Sequence, residues 1–217
     1  VMRVNEFDSS EEEDDGNEES YTPLQICWLS LSAIECSQFL GICSLPGCRY
    51  KDIRRNLEKD IGNLVCVGEL RVQGVQDVFV LCERAEFVRY RVPCLLESYT
   101  RSGLSLHHLP FPDGGVPEMP QCARILDELQ HCLHTQRRTV IHCYGGLGRS
   151  GLITACLLLH LSNTMTPTKA IEILRELRGR GAIQTVKQYN FLHEFREKFA
   201  AYQETTESRA SERAVSR

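Results

Sequence analysis

The sequence predicts an α/β layered fold, a central sheet flanked by helices with its chemistry at the carboxyl ends of the central strands. Three observations predict it. Short runs rich in Val, Ile and Phe recur along the chain, stretches of helical periodicity lie between them, and one such run passes through a glycine-rich turn into a helix. With 217 residues, 42% of them hydrophobic, the chain can fill one core and not two.

Gln25 to Leu31, Asp77 to Cys82 and Thr139 to His142 read as short buried strands, and Leu104 to Leu109 as a weaker fourth. A stripe of Cys122, Ile125, Leu126, Leu129, Cys132 and Leu133 follows Pro117 and Pro120, which predicts an amphipathic helix packed on the sheet. Three more helices are expected downstream. The first spans Ser150 to Ser162, the second runs from an N-cap at Thr166 and a first-turn Pro167 to Arg178, and the third starts at Thr185. Val186, Tyr189, Leu192, Phe195, Phe199 and Tyr202 keep this last helix amphipathic, so order is expected to stop near Tyr202 and residues 203–217 to form a disordered polar tail. Gly62, Gly68 and Gly74 interrupt any periodicity between them, and Gly62 to Gly74 receives no assignment.

Residues 1–19 hold nine acids against Arg3, a net charge of −8, so the formal −4 of the whole chain leaves +4 on residues 20–217. Such an acidic run cannot offset its ordering entropy by burial and is expected to be a disordered tail. Ser9 and Ser10, just ahead of Glu11 to Asp15, fit an acid-directed kinase. A single folded domain, 20–202, remains, mildly basic and suited to anionic substrates. The eleven cysteines are odd in number and many sit in apolar runs, which predicts reduced, cytosolic thiols. The apolar run Leu152 to Leu161 is far shorter than the ~20 residues that span a bilayer, so no membrane segment is expected.

The chemistry concentrates in Thr139-Val-Ile-His-Cys-Tyr-Gly-Gly-Leu-Gly-Arg-Ser150, a strand, a turn and a helix start. Gly145, Gly146 and Gly148 let backbone N–H groups of Tyr144 to Gly148 converge on one centre, where the helix N-terminus adds partial positive charge. A phosphate dianion suits that cradle. Cys143 stands at its mouth and Arg149 closes it, and both the dipoles and the guanidinium favour a nucleophilic thiolate at Cys143. Arg149 can grip two phosphoryl oxygens, which a lysine could not do in the same way. Ser150 is placed to donate a hydrogen bond to the sulfur. A leaving oxygen needs an acid, and Asp113 in Pro110-Phe-Pro-Asp-Gly-Gly-Val-Pro117 is the candidate, on a loop stiffened by prolines and hinged at Gly114 and Gly115. Taken alone, Asp113-Gly114 reads as an ordinary turn, and Glu118 is the fallback acid.

Gly146-x-Gly148-x-x-Gly151 also matches a dinucleotide fingerprint, but such a fold places an acid after a second strand ~20 residues on, where this chain has Thr166-Pro167 and a helix. An isolated Cys143 would read as a buried structural thiol, as Cys82, Cys132 and Cys156 do in their apolar stripes. Set between its strand, its glycines, Arg149 and a helix, it reads as catalytic.

His142 to Ser150 resembles the signature His-Cys-x-x-Gly-x-x-Arg-Ser/Thr of the cysteine-dependent protein tyrosine phosphatase superfamily. Leu29 to Cys36, Phe39-Leu-Gly, Leu45-Pro-Gly-Cys, Lys51 to Asn56 and Gly181 to Asn190 are similar to the kinase-associated phosphatases within it. The resemblance implies a protein tyrosine phosphatase-like fold of the dual-specificity type, with a mixed, mostly parallel sheet. It also implies removal of phosphate from the activation-segment threonine of a cyclin-dependent kinase. Cys143 is then nucleophile, Arg149 the phosphate-binding group and Asp113 the general acid, while Gln184 resembles a water-positioning glutamine. Gln184 reads equally as the entry to a capping box formed by Thr185 and Gln188. The expected setting is a monomer, cytoplasmic and perinuclear or shared with the nucleus, whose partner is the phosphorylated kinase, without nucleic acid or membrane.

Three functions compete on these residues. The first is a phosphoprotein phosphatase without metal or other cofactor, favoured over an inositol lipid phosphatase because the loop has no lysine. The second is a kinase-binding module or inhibitor with little turnover. The third, a metal hydrolase built on His107, His108, Cys43 and Cys48, fares poorly because Cys43-x-x-x-x-Cys48 lacks a matched pair and adjacent histidines in a strand face opposite ways.

Overall fold

The computed structural model describes residues 20–67 and 72–216. The acidic segment 1–19, with Ser9 and Ser10, lies outside the described residues. In chain order the elements are β1 (Cys27–Ser30), β2 (Phe39–Cys43), α1 (Leu57–Val65), β3 (Cys66–Val67), β4 (Val72–Gln73), β5 (Asp77–Val80), α2 (Arg84–Arg89), α3 (Leu95–Arg101), β6 (Ser105–His108), α4 (Met119–His134), β7 (Thr139–His142), α5 (Arg149–Leu161), α6 (Pro167–Arg178) and α7 (Val186–Val215).

Five strands form one mixed sheet in the order β1-β2-β7-β5-β6, antiparallel between β1 and β2 and parallel elsewhere. β7 is central, and Thr139, Val140, Ile141 and His142 are all buried, as a strand covered on both faces requires. Parallel β5 and β7 end together, pairing Val80 with His142, so the segments after both strands open at one edge of the sheet. α5 leaves that edge with Arg149 to Leu159 buried throughout, a helix apolar on all sides because α4, α6 and α7 enclose it. The stripe expected on α4 is buried at all six positions. Thr166 and Thr185 cap α6 and α7 as expected, accepting from Lys169 N and Gln188 N at 3.1 Å.

β2 is the strand that the sequence reading missed. Gly41 breaks its apolar pattern, and the break has a packing cause, since a Cβ there would come within 2.8–2.9 Å of Val140, Ile26 and Trp28. α2 and α3, six and seven residues long, are too short for a periodic signal, whereas α1 carries an amphipathic pattern that the sequence reading passed over. Between Gly62 and Gly74, α1 runs on to Val65, and β3 pairs with β4 as a small antiparallel ribbon.

The disordered tail expected at 203–217 is corrected by the structure, in which α7 continues to Val215. Every residue from Gln203 to Ser216 is exposed, so no core holds this part. Its Glu, Arg, Ala and Gln residues, with no Gly or Pro, favour helix by intrinsic propensity once the packed turns up to Phe199 have nucleated it. No helix among the described residues is long and apolar enough to cross a membrane.

Candidate active site

The turn from β7 to α5 forms a closed cradle whose carbonyls point outward. Tyr144 O accepts from Leu45 N at 2.8 Å, Leu147 O from Ile183 N at 3.3 Å and Gly148 O from Leu152 N at 2.9 Å. Arg178, at the end of α6, takes the other two, with Nη2 on Gly145 O at 2.8 Å and Nε on Gly146 O at 3.0 Å. Among the described residues, the N–H groups of Tyr144 to Gly148 donate to no protein acceptor. A ring of five satisfied carbonyls and five free donors is a site for an anion. Gly146 makes the curl possible, with φ +68° and no room for a Cβ against the carbonyl of Cys43.

Cys143 sits at the start of this ring, 3% exposed. Burial pushes the thiols of Cys43 and Cys82 well up, and that of Cys132 up to about 11, so these three remain protonated. Cys82, Cys132 and Cys156 are buried in the core, as expected of structural thiols. His142, fully buried, is lowered to about 4 chiefly by burial and is neutral at pH 7. Its Nδ1 lies 3.1 Å from Cys143 O and its Nε2 2.7 Å from the Tyr99 hydroxyl. A neutral ring meets both needs with the proton on Nδ1, donating to the carbonyl while Nε2 accepts from Tyr99.

Arg149 is 1% exposed and is held by a residue that the sequence reading did not single out. Glu86 takes its Nη1 at 2.8 Å and its Nη2 at 2.6 Å, and the carbonyls of Leu81 and Phe111 accept from Nη1 at 3.3 and 3.1 Å. Burial is the largest single influence and opposes the guanidinium charge, but the Glu86 hydrogen bonds and the negative charge around the group together outweigh it, so the group stays ionised. Arg149 Nε and Ser150 Oγ are, among the described residues, the buried side-chain polar atoms with no partner, so the hydrogen bond expected from Ser150 to the Cys143 sulfur is not made in this structure. With the Nη1–Nη2 end taken by Glu86, the Nε–Nη2 edge is left to grip an oxyanion. The sequence did carry one trace of Glu86, for Glu83-x-x-Glu86 forms the capping box of α2, with Glu86 Oε2 accepting from Glu83 N at 2.6 Å.

The structure brings Asp113 to the same place. Its side chain is 60% exposed, with Oδ1 3.6 Å from Arg149 Nη2, on a turn closed by Gly115 N donating to Pro112 O at 2.9 Å. That loop is tied to the start of α7, since Thr185 Oγ1 donates to Gly114 O at 2.9 Å and Gln188 Nε2 to Gly115 O at 3.2 Å. Glu118, the fallback acid, is the exposed N-cap residue of α4. Gln184 lies over the loop, where a Cβ on Gly148 would come 2.8 Å from its Oε1. Thr185 caps α7, but the side chain of Gln188 turns to Gln184 N, at 3.0 Å, and to the Asp113 loop, so the expected capping box is only half formed.

The residues weighed for a metal are placed otherwise. His107 lies between Asp77 and Glu128, at 2.9 and 2.8 Å, and His108 reaches Cys82 O at 2.8 Å. Ligand atoms of Asp77, His107 and Cys132 fall within 4.8 Å of one another, but Arg137 already neutralises Asp77 and burial keeps the Cys132 thiol protonated.

Residues 1–171 match the family model for cyclin-dependent kinase inhibitor 3 (CDKN3). Cyclin-dependent kinase inhibitor 3 of Rattus norvegicus is 54% identical over 216 residues, covering 100% of this chain and 97% of the relative. A solved structure of kinase associated phosphatase, with its catalytic-site cysteine substituted by serine, is 56% identical with a TM-score of 0.79, covering 83% of this chain and 98% of that one. A protein tyrosine phosphatase from Leishmania major, 24% identical with a TM-score of 0.52 over 79% of this chain and 96% of that one, shares the fold. The layered architecture and mixed sheet are those of the protein tyrosine phosphatases, and the chain belongs to the cyclin-dependent kinase inhibitor 3 family.

Proposed function

We propose that this chain is a phosphoprotein phosphatase of the dual-specificity type, acting through a cysteinyl-phosphate on the activation-segment phosphothreonine of a cyclin-dependent kinase. The observation that carries the reading is the inverted loop, five carbonyls turned out and satisfied, five amides turned in, around Cys143 and the free edge of Arg149. In the first step Cys143 Sγ attacks phosphorus while the bond to the substrate oxygen breaks, and Asp113 delivers a proton to that oxygen. The loop amides and the Nε–Nη2 edge of Arg149 stabilise the charge on the equatorial oxygens. In the second step water, positioned by Gln184 and giving its proton to Asp113, attacks phosphorus, and the S–P bonding pair returns to sulfur, stabilised by the Ser150 hydroxyl. Phosphate leaves, and the thiolate is regenerated.

The kinase as substrate is supported by the family's relatives, whose names join kinase inhibition to a phosphatase fold. The same names favour a second reading, a module that holds the kinase with little turnover. Single-turnover quench with a radiolabelled phosphoprotein separates them. Acid-stable label on the wild-type chain, absent from Cys143→Ser, is expected. Stoichiometric kinase binding without label and without free phosphate would leave only the binding reading.

A further inference from the structure

A cleft of about 680 Å³ lies between residues 47–61 and 91–102, and arginines outnumber acids along it. Arg49, Arg55, Arg91 and Arg101 line it, against one acid, Glu58. Arg55 is spoken for, since its Nε and Nη2 pair with buried Asp60 at 2.8 Å. The guanidiniums of Arg49, Arg91 and Arg101 pair with no carboxylate among the described residues, and all three side chains are exposed.

Two further observations join this charge to the site. Arg49 N donates to Tyr90 O at 2.9 Å, and the Tyr90 ring stacks on Tyr144 of the loop with centroids 4.2 Å apart, so Tyr90 links a residue that lines the cleft to the cradle. Arg91 holds φ +58°, a left-handed conformation that a residue with a Cβ adopts only at a cost and that Gly or Asn would adopt more readily. The strain sits on a residue that presents a guanidinium to the cleft.

We propose that the Arg49–Arg91–Arg101 cleft binds an acidic flank of the phosphoprotein substrate, carboxylates within a few residues of the phosphorylated side chain. This rests on the phosphatase reading above and deepens it. An extended segment advances about 3.3 Å per residue, so a cleft joined to the cradle through Tyr144, Tyr90 and Arg49 is one that side chains a few positions from the phosphate can serve. Guanidinium forks suit carboxylates, and exposed pairs, individually weak, give about a tenfold preference when two or three act together.

The test compares the full chain on matched phosphopeptides, one neutral, one with aspartates before the phosphothreonine and one with aspartates after it. An activated aryl phosphate, which reaches only the loop, serves as reference. We expect one acidic peptide to exceed the neutral one about tenfold in kcat/KM, with the preference lost in the double variant Arg91→Gln, Arg101→Gln and aryl phosphate turnover unchanged. Equal rates on all three peptides, or a preference that survives the double variant, would overturn the proposal. So would an acidic preference that is missing from the wild type and emerges only in a full chain with Glu11→Gln, Glu12→Gln, Glu13→Gln, Asp14→Asn and Asp15→Asn, since the chain's own acids would then be the occupant. Anisotropy of the same peptides on Cys143→Ser gives the answer without turnover. Inert aryl phosphate would sink the phosphatase reading, whereas unselective peptide binding would sink only the cleft.

Discussion

Glu86→Gln tests the electrostatic frame of the site most directly. The carboxylate accepts two hydrogen bonds from Arg149 at 2.6 and 2.8 Å and one from Glu83 N at 2.6 Å, with Glu86 5% and Arg149 1% exposed. A glutamine retains one oxygen and places an NH₂ where the other stood, so a donor faces a guanidinium donor. Breaking a buried ion pair costs about 3–5 kcal/mol, mainly because a charge is left uncompensated. Arg149 keeps the carbonyls of Leu81 and Phe111, which puts the loss at the lower end, about 3 kcal/mol. At about 2 kcal/mol per molar urea this is a fall of roughly 1.5 M in the unfolding midpoint, followed by fluorescence of Trp28, the single tryptophan. Saturating phosphate should narrow the gap to wild type, because a dianion on the free edge of Arg149 supplies the missing counter-charge. An unchanged midpoint, or a gap that phosphate leaves as wide, would refute this account of Arg149.

Three further outcomes are expected. Asp113→Asn lowers kcat/KM on a phosphopeptide by ~10²- to 10⁴-fold and flattens one limb of the pH profile, whereas Glu118→Gln leaves both as they were; the reverse would move the acid to Glu118. His142, lowered to about 4 when folded against the ordinary imidazole value of 6.5, gives stability that is complete above pH 6.5 and is lost as pH falls towards 4, because the unfolded chain takes up the proton first. At pH 5 that loss is about 2 kcal/mol, visible as a steeper decline in urea midpoint than His142→Gln shows over the same range. Gly146→Ala abolishes calorimetric binding of vanadate, since its φ of +68° and the carbonyl of Cys43 leave no adjustment, while Gly148→Ala still binds because it meets only the movable side chains of Gln184 and Gln188.

What the sequence by itself determined is the part of the site that is contiguous. Eight residues, Cys143 to Ser150, carry the proposed nucleophile, the donors and the guanidinium in one strand–turn–helix passage, and glycine placement with helix polarity suffices to aim their amides at a common centre. The periodic helices α4, α5 and α6 and the buried strands β5 and β7 were legible for a related reason, since burial on one face or both imprints a pattern on local residues. Only the tertiary structure decided the rest. Glu86 lies 63 positions from the arginine it orients, Arg178 lies 33 from the carbonyl of Gly145 that it turns outward, and Gln188 lies 73 from the Asp113 loop it holds. Ion pairs and carbonyl contacts between distant segments leave no periodic trace, because a single polar residue can serve them from a turn or a helix end. The extent of α7 escaped for the opposite reason. Its last turns rest on backbone propensity alone, and a reading built on buried faces stops where the apolar face stops, at Tyr202.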